Sequence, residues 1–286
     1  MRAPLCTQSK IDRLIEVPDF ILRPVSWFFW LALLVCTLSS AHAGSIAVII
    51  DDIGYNQHYG EAAASLHPNI ALSVLPDAPF ALQLADNASQ NGNEVMLHIP
   101  MQAMTSPSPH ESKILSMEMG ETRFKSQLRN YLDRFPAITG VNNHMGSRLT
   151  RDTEHMGWFM EVMNEYPGLF FVDSRTHHKT VAAKIASEYF VSNTSRDIFL
   201  DSKPNDSKEL RVQLKRLLKK AEEQGFALAI AHPYPETIKS LRQFIPQLEA
   251  LGHQLIPISQ FIEQQDNQLC PECSSPWLKV VKNSKP

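Results

Sequence analysis

Two adjacent acids, Asp51 and Asp52, end the unbroken apolar run Ser45 to Ile50, and Gly54 follows two residues on. Further along, His98 closes Val95-Met96-Leu97, Asn142 and Asn143 lead into His144, Asp173 precedes Ser174 and Arg175, and His232 follows Ala229-Ile230-Ala231. One Asp with two His is a ligand set for zinc or another divalent first-row metal, and it leaves a position open for water. A second acid beside the metal can take a proton from that water, and a further histidine can return one to a leaving group. Each residue also has a plainer use: an Asp at a strand exit caps the next helix, and a histidine on an apolar run can be a hydrogen-bonded core residue. Number tilts the balance, because three histidines and three acids converging on one place need partners or a ligand.

Such residues must be positioned by the elements they terminate. The run Ser45 to Ile50 suits a strand buried on both faces, and carboxylates at its C-terminal end sit where α/β barrels place their chemistry. Further strands are expected at Ile70 to Leu75, Glu94 to His98, Ile138 to Asn142, Leu169 to Asp173, Tyr189 to Ser192, Phe226 to Ala231 and Gln254 to Ile258. Helical periodicity covers Thr122 to Phe135, Asp152 to Tyr166, Asp206 to Gln224 and Thr237 to Leu251, the third with Leu210, Leu214, Leu217 and Leu218 on one stripe. Strands alternating with helices imply a parallel α/β sheet, and about eight such units favour closure into a (β/α) barrel over an open doubly wound sheet. In a barrel the strand ends meet on one face. Alternation along an extended segment would send the Asp51 and Asp52 side chains to opposite sides, leaving one for a cation and one for a proton. His177 and His178 read as solvated, and His58, His67, His110, His155 and His253 as surface residues.

The first 43 residues have the form of an export leader. Arg2, Lys10, Arg13 and Arg23 are basic, Trp27 to Cys36 is apolar but shorter than the roughly 20 residues of a membrane span, and Ala41-His42-Ala43 has the small-x-small form of a cleavage site. An uncleaved anchor is the alternative. Removing the leader takes four basic residues against three acidic ones from a chain of net charge −3, leaving −4 and about 240 residues, enough for one large core. A mildly acidic chain has no basic face for nucleic acid. Only Cys270 and Cys273 then remain, spaced Cys-Pro-Glu-Cys, half of a zinc ribbon and more simply a local disulfide in an oxidising compartment. Ala103 to Ser116, with Ser106-Pro107-Ser108-Pro109, is a polar loop, and residues 266–286 form a loosely held tail behind a domain spanning 44–265.

Ile49-Ile50-Asp51-Asp52-Ile53-Gly54, Leu97-His98-Ile99-Pro100-Met101, Gly140-Val141-Asn142-Asn143-His144-Met145-Gly146-Ser147, Phe171-Val172-Asp173-Ser174-Arg175-Thr176 and Ala231-His232-Pro233 together match one family. The chain resembles the divergent polysaccharide deacetylases (YibQ-like proteins), a branch of the NodB-like carbohydrate esterases, from about Ser45 to about Gln264. The resemblance implies a distorted NodB-like barrel of seven or eight parallel strands. It also implies a metal-dependent hydrolysis of acyl groups on a sugar, with Asp51 as base, Asp52 as metal ligand and His232 as acid; export would make that sugar part of a cell-envelope glycan. Members of the wider superfamily carry a His-x-x-x-His pair on the third strand; His98 matches its first position, but Gln102 stands at the second. Glutamine is a poor zinc ligand, so His144 is the candidate to complete the set with Asp52 and His98 around one divalent ion, zinc by ligand type. Asn143, Asp173 and Arg175 are left to bind substrate or orient His232. Two other functions compete: a barrel that only binds glycan or an envelope partner, and a glycoside hydrolase using Asp51 and Asp173 across a sugar ring.

Overall fold

The computed structural model of the chain describes residues 44–105 and 113–269. The expected leader, the Ser106-Pro107-Ser108-Pro109 stretch, His110 and the tail cysteines lie outside the described residues. Nine strands occur among the described residues, β1 (Ser45–Ile53), β2 (Ala71–Val74), β3 (Val95–Met101), β4 (Gly140–Met145), β5 (Phe170–Asp173), β6 (Asn193–Ser195), β7 (Ile198–Phe199), β8 (Phe226–Ala231) and β9 (Gln254–Leu255). The helices between and after them are α1 (Gln57–Ala64), α2 (Ala81–Gln90), α3 (Glu121–Asp133), α4 (Thr153–Met163), α5 (Ala182–Glu188), α6 (Ser207–Gln224), α7 (Pro235–Phe244) and α8 (Ile258–Leu269). Local chemistry sets their ends. Asp206 accepts from the Lys208 and Glu209 amides at the start of α6, and Gly225 ends it with φ +81°, a conformation open to glycine.

Every pairing between these strands is parallel, and their order is β6-β5-β4-β3-β2-β1-β8-β7 with β9 beside β1. The two ends of that order, β6 and β7, are halves of one extended segment. Its first half pairs with β5 and its second with β8, and between them the Arg196 amide bonds Asp173 O while the Asp197 amide bonds Leu228 O. The sheet therefore curls into the expected distorted barrel, with a single segment lying across the seam.

The barrel has two apolar layers. Ile46, Val48, Ile50, Leu97, Val141, Phe171 and the small residues Ala227, Ala229 and Ala231 face the helices. Ala47, Ile49, Ala71, Met96, Phe170, Val172, Leu228 and Ile230 fill the interior, joined by Ile258, Phe261 and Ile262 of α8. That helix plugs the end where the strands begin, because β9 pairs with Ser45 and Ile46 and Glu94 accepts from the Ile258 and Ser259 amides at the α8 N-terminus. Toward the strands' C-terminal ends the same inward rows become polar: Ala71 is followed by Ser73, Met96 by His98, and Ile49 by Asp51.

Several expected elements move. The strand expected at Tyr189 to Ser192 begins at Asn193, since Tyr189 caps α5 and Phe190 takes φ +59°. The strand expected through Ile258 stops at Leu255, and Ile258 opens α8, which runs past residue 265 to Leu269. His155 and His253, expected at the surface, are buried. His155 packs against Trp158 and Phe124 with its Nδ1 2.7 Å from Asp152 Oδ1, and His253 Nε2 lies 3.8 Å from Glu222 Oε1.

Candidate functional site

The acid pair does not split to opposite sides. Ile50 pairs with Leu72 and Ile53 with Val74, so β1 carries one more residue than β2 over this stretch, and Asp52 sits at φ +57°. This bulge breaks the alternation and turns both carboxylates to one histidine: His98 Nε2 is 3.6 Å from Asp51 Oδ2 and 3.3 Å from Asp52 Oδ1. Met145 and Arg175, at the exits of β4 and β5, also take positive φ, 52° and 47°. Three of the five positive-φ non-glycine residues among the described residues thus stand at these strand exits. Gly54, at φ +132°, completes the turn, and a Cβ there would stand 2.5 Å from the Ala78 Cβ.

Asn142, which the sequence reading passed over, is fully buried and ties these groups together. Its Nδ2 donates to Asp51 Oδ1 (2.8 Å), and its Oδ1 accepts from Ser73 Oγ (2.6 Å) and faces His98 Nδ1 at 2.6 Å. Because Oδ1 can only accept, His98 carries its proton on Nδ1 and turns the Nε2 lone pair toward Asp52. Asp52 Oδ1 is buried without a hydrogen bond, although His98 Nε2 stands 3.3 Å and His144 Nδ1 3.0 Å from it. Two imidazole nitrogens and a carboxylate oxygen at this spacing can close on a cation, since ligands bound at about 2.1 Å stand roughly 3–3.4 Å apart in such a shell. These three residues therefore fit the divalent ion that the ligand types imply. Gln102 takes no part. Its Nε2 donates to Glu118 and its Oε1 accepts from the Met117 amide.

Electrostatics separate the two acids. Burial pushes the Asp51 carboxyl above the ordinary range against the pull of His98 and His232. Burial also works upward on Asp52, but the His144 and His98 nitrogens outweigh it and hold that carboxyl well below the ordinary range. His232 Nε2 approaches Asp52 Oδ2 at 3.6 Å. Burial would lower this imidazole, yet the Asp201 carboxylate, with the charges of Asp52 and Asp51, raises it.

Asp201 was not foreseen. Its Oδ1 lies 3.0 Å from His232 Nδ1, and its Oδ2 accepts from the His232 amide (2.7 Å) and Thr237 Oγ1 (2.8 Å). It orients His232, one of the two roles expected of Asp173 and Arg175, the other being to bind substrate. Asp173 instead accepts from the Arg175 amide (2.8 Å) and Thr180 Oγ1 (2.9 Å), with burial raising its carboxyl, and Arg175 is exposed. Asn143 likewise holds backbone, accepting from the Ser174 amide (2.9 Å) and donating to Met145 O (2.7 Å). The glycoside-hydrolase reading thereby loses its second acid. Ile198-Phe199-Leu200-Asp201 repeats the apolar-run-then-acid pattern of Asp51, and that was the available signal.

Residues 48–262 match the family described as divergent polysaccharide deacetylase. The uncharacterized protein YibQ of Escherichia coli is 35% identical over 217 residues, spanning 76% of this chain and 67% of that one. An uncharacterized protein of Haemophilus influenzae is 34% identical over 197 residues, 69% of each chain. In fold, the chain is similar to the crystal structure of an uncharacterized protein of Agrobacterium tumefaciens, with TM-score 0.72 at 19% identity over 78% of this chain and 91% of that chain.

Proposed function

The chain belongs to the divergent polysaccharide deacetylase family, and on that premise we propose that its strand-end site hydrolyses N-acetyl or related acyl groups on a cell-envelope glycan. The observation that carries this reading is the buried Asp52 Oδ1, without a hydrogen bond between two histidine nitrogens, flanked by Asp51 and by an Asp201-held His232. Asp52, His98 and His144 would hold the divalent ion, zinc by ligand type, which when bound would polarise the acyl carbonyl and acidify a water. Asp51, its carboxyl raised by burial and oriented by Asn142, takes the proton from that water as it attacks the carbonyl carbon. His232, protonated and fixed by Asp201, gives a proton to the amine nitrogen as the C–N bond breaks, so acetate and a free amine leave.

The protein acts outside the cytoplasm, a reading supported by the leader's form; among the described residues no helix is long and apolar enough to cross a membrane. N-terminal sequencing of envelope material should begin at Gly44, and an intact N-terminus in the membrane fraction would mean an anchor. Elemental analysis of purified protein, with acetate release from N-acetylated glycan fragments, tests the site. One divalent ion per chain is expected, with occupancy falling sharply in Asp52→Ala, His98→Ala and His144→Ala. Asp51→Asn should keep the ion and lose acetate release, because an amide holds the shape but cannot take the proton. A metal-loaded protein that binds glycan and releases nothing across several metals would make it a binding module.

A further inference from the structure

The loops leaving β3, β4 and β5 share the end of the barrel that holds His98 and His144, and they carry cations. Arg148 and Arg151 lie in and beside the 3-10 turn Leu149–Arg151, and Arg175 and Lys179 follow β5 with the stacked rings of His177 and His178 (4.4 Å apart). Arg151, Arg175 and Lys179 are exposed and form no ion pair among the described residues. Three nearby acids among the described residues are committed elsewhere, Glu118 to Gln102 and Arg148, Asp152 to the α4 N-terminus and His155, and Asp173 to Arg175 N and Thr180, while Glu154 in the first turn of α4 is exposed. Arg151 and Lys179 are close enough to act on one neighbour, His177, and Arg175 acts on Arg196. Partial desolvation, then the charges of His178, Arg151 and Lys179, lower the His177 imidazole, and the charge of Arg175 adds to burial in lowering the Arg196 guanidinium. The loops are also knitted together, by Thr176 Oγ1 to Met145 O, the Val181 amide to Thr150 O, and the Arg148 amide to Gln102 O. Between Met104, Met117, Arg148, Arg151 and Asp152 they leave a groove of about 500 Å3.

A chain of net charge −3 that gathers, on one side of the candidate site, cations with no ion pair among the described residues, Arg151 donating only to Met104 Sδ at 3.3 Å, is arranged to draw an anion there. We infer that Arg151, Arg175 and Lys179 form a subsite for a carboxylate on the glycan, so that the substrate is an anionic N-acetylated polysaccharide rather than a neutral one. This rests on the deacetylase reading for its ligand class but not for its readout, which is binding.

The test uses calorimetry on the full metal-loaded protein with two tetrasaccharides: a neutral N-acetylglucosamine tetramer, and a peptidoglycan glycan fragment without stem peptides, whose alternate sugars carry a lactyl carboxylate. The anionic fragment should bind about tenfold more tightly at low salt, a preference that shrinks as salt rises. In the triple variant Arg151→Gln, Arg175→Gln, Lys179→Gln, the preference should vanish while affinity for the neutral tetramer stays within about twofold. These side chains are exposed, and a thermal melt verifies that the variant folds. Equal affinities for the two fragments, or a preference that survives the triple substitution, overturns the inference. Acetate release measured in parallel separates the two readings. Rim-dependent binding without release leaves the subsite standing and removes the deacetylase, and release without charge preference does the reverse.

Discussion

Asn142 acts on two functional groups at once, so its substitutions can be made to separate them. Asn142→Leu leaves Asp51 without its donor and His98 Nδ1 without its acceptor. Metal affinity, read by chelator competition, should fall by about 10–100-fold, the usual effect of losing a partner that orients a ligand. Asn142→Asp still accepts from His98 but cannot donate to Asp51, so it should keep most of the metal and lose acetate release. Asp201→Asn tests the other side of the site. Its carboxylate raises the His232 imidazole and accepts three hydrogen bonds around it, so turnover should drop by about 10²-fold or more with metal occupancy unchanged. Loss of metal in Asp201→Asn would place His232 among the ligands instead.

At the scale of elements, the site depends on an irregularity. A regular β1 would turn Asp52 toward the helices, in the row of Ile46, Val48 and Ile50; the bulge before Ile53 brings it inward. Gly54 permits the turn that follows, with φ +132° and the Ala78 Cβ 2.5 Å from where a β-carbon would stand. Gly54→Ala should cost about 1–3 kcal/mol in denaturant unfolding and also lower metal occupancy, because the strain is relieved by moving Asp52. Lost stability with full occupancy would mean that the bulge holds without the turn. The segment 193–199 is the second irregular device: too short and polar to read as a strand, it pairs with β5 and β8 in turn and delivers Asp201 beside His232.

The whole molecule separates its support from its chemistry along the barrel axis. Ile258, Phe261 and Ile262 of α8 fill the interior where the strands begin, and the polar groups occupy the opposite end. Phe261, fully buried and edge-on to Phe226 at 5.6 Å, is the largest of these plugs. Phe261→Ala should destabilise the fold by about 3–5 kcal/mol, while the folded fraction keeps its metal affinity because the cavity opens at the far end. A loss of affinity matching the loss of stability would mean that the two ends are coupled.

The sequence alone determined the α/β barrel and most of the residues at its mouth. Apolar strands ending in Asp51, His98 and His232 announce themselves locally, since a chain places ionisable groups at the end of a buried run only where something receives them. Tertiary structure decided their partnerships. Asn142 looked like one polar residue beside another, and its importance comes from Ser73, His98 and Asp51 arriving from three other strands. The same holds for Asp201, which stands beside His232 in place of Asp173 because the seam segment lies against β8, whereas Asp173 accepts from the β5 exit loop. Alternation predicted opposite sides for Asp51 and Asp52, and a one-residue bulge reversed it. Register and hydrogen bonding between distant strands depend on how the sheet closes, and spacing along one strand does not carry that information.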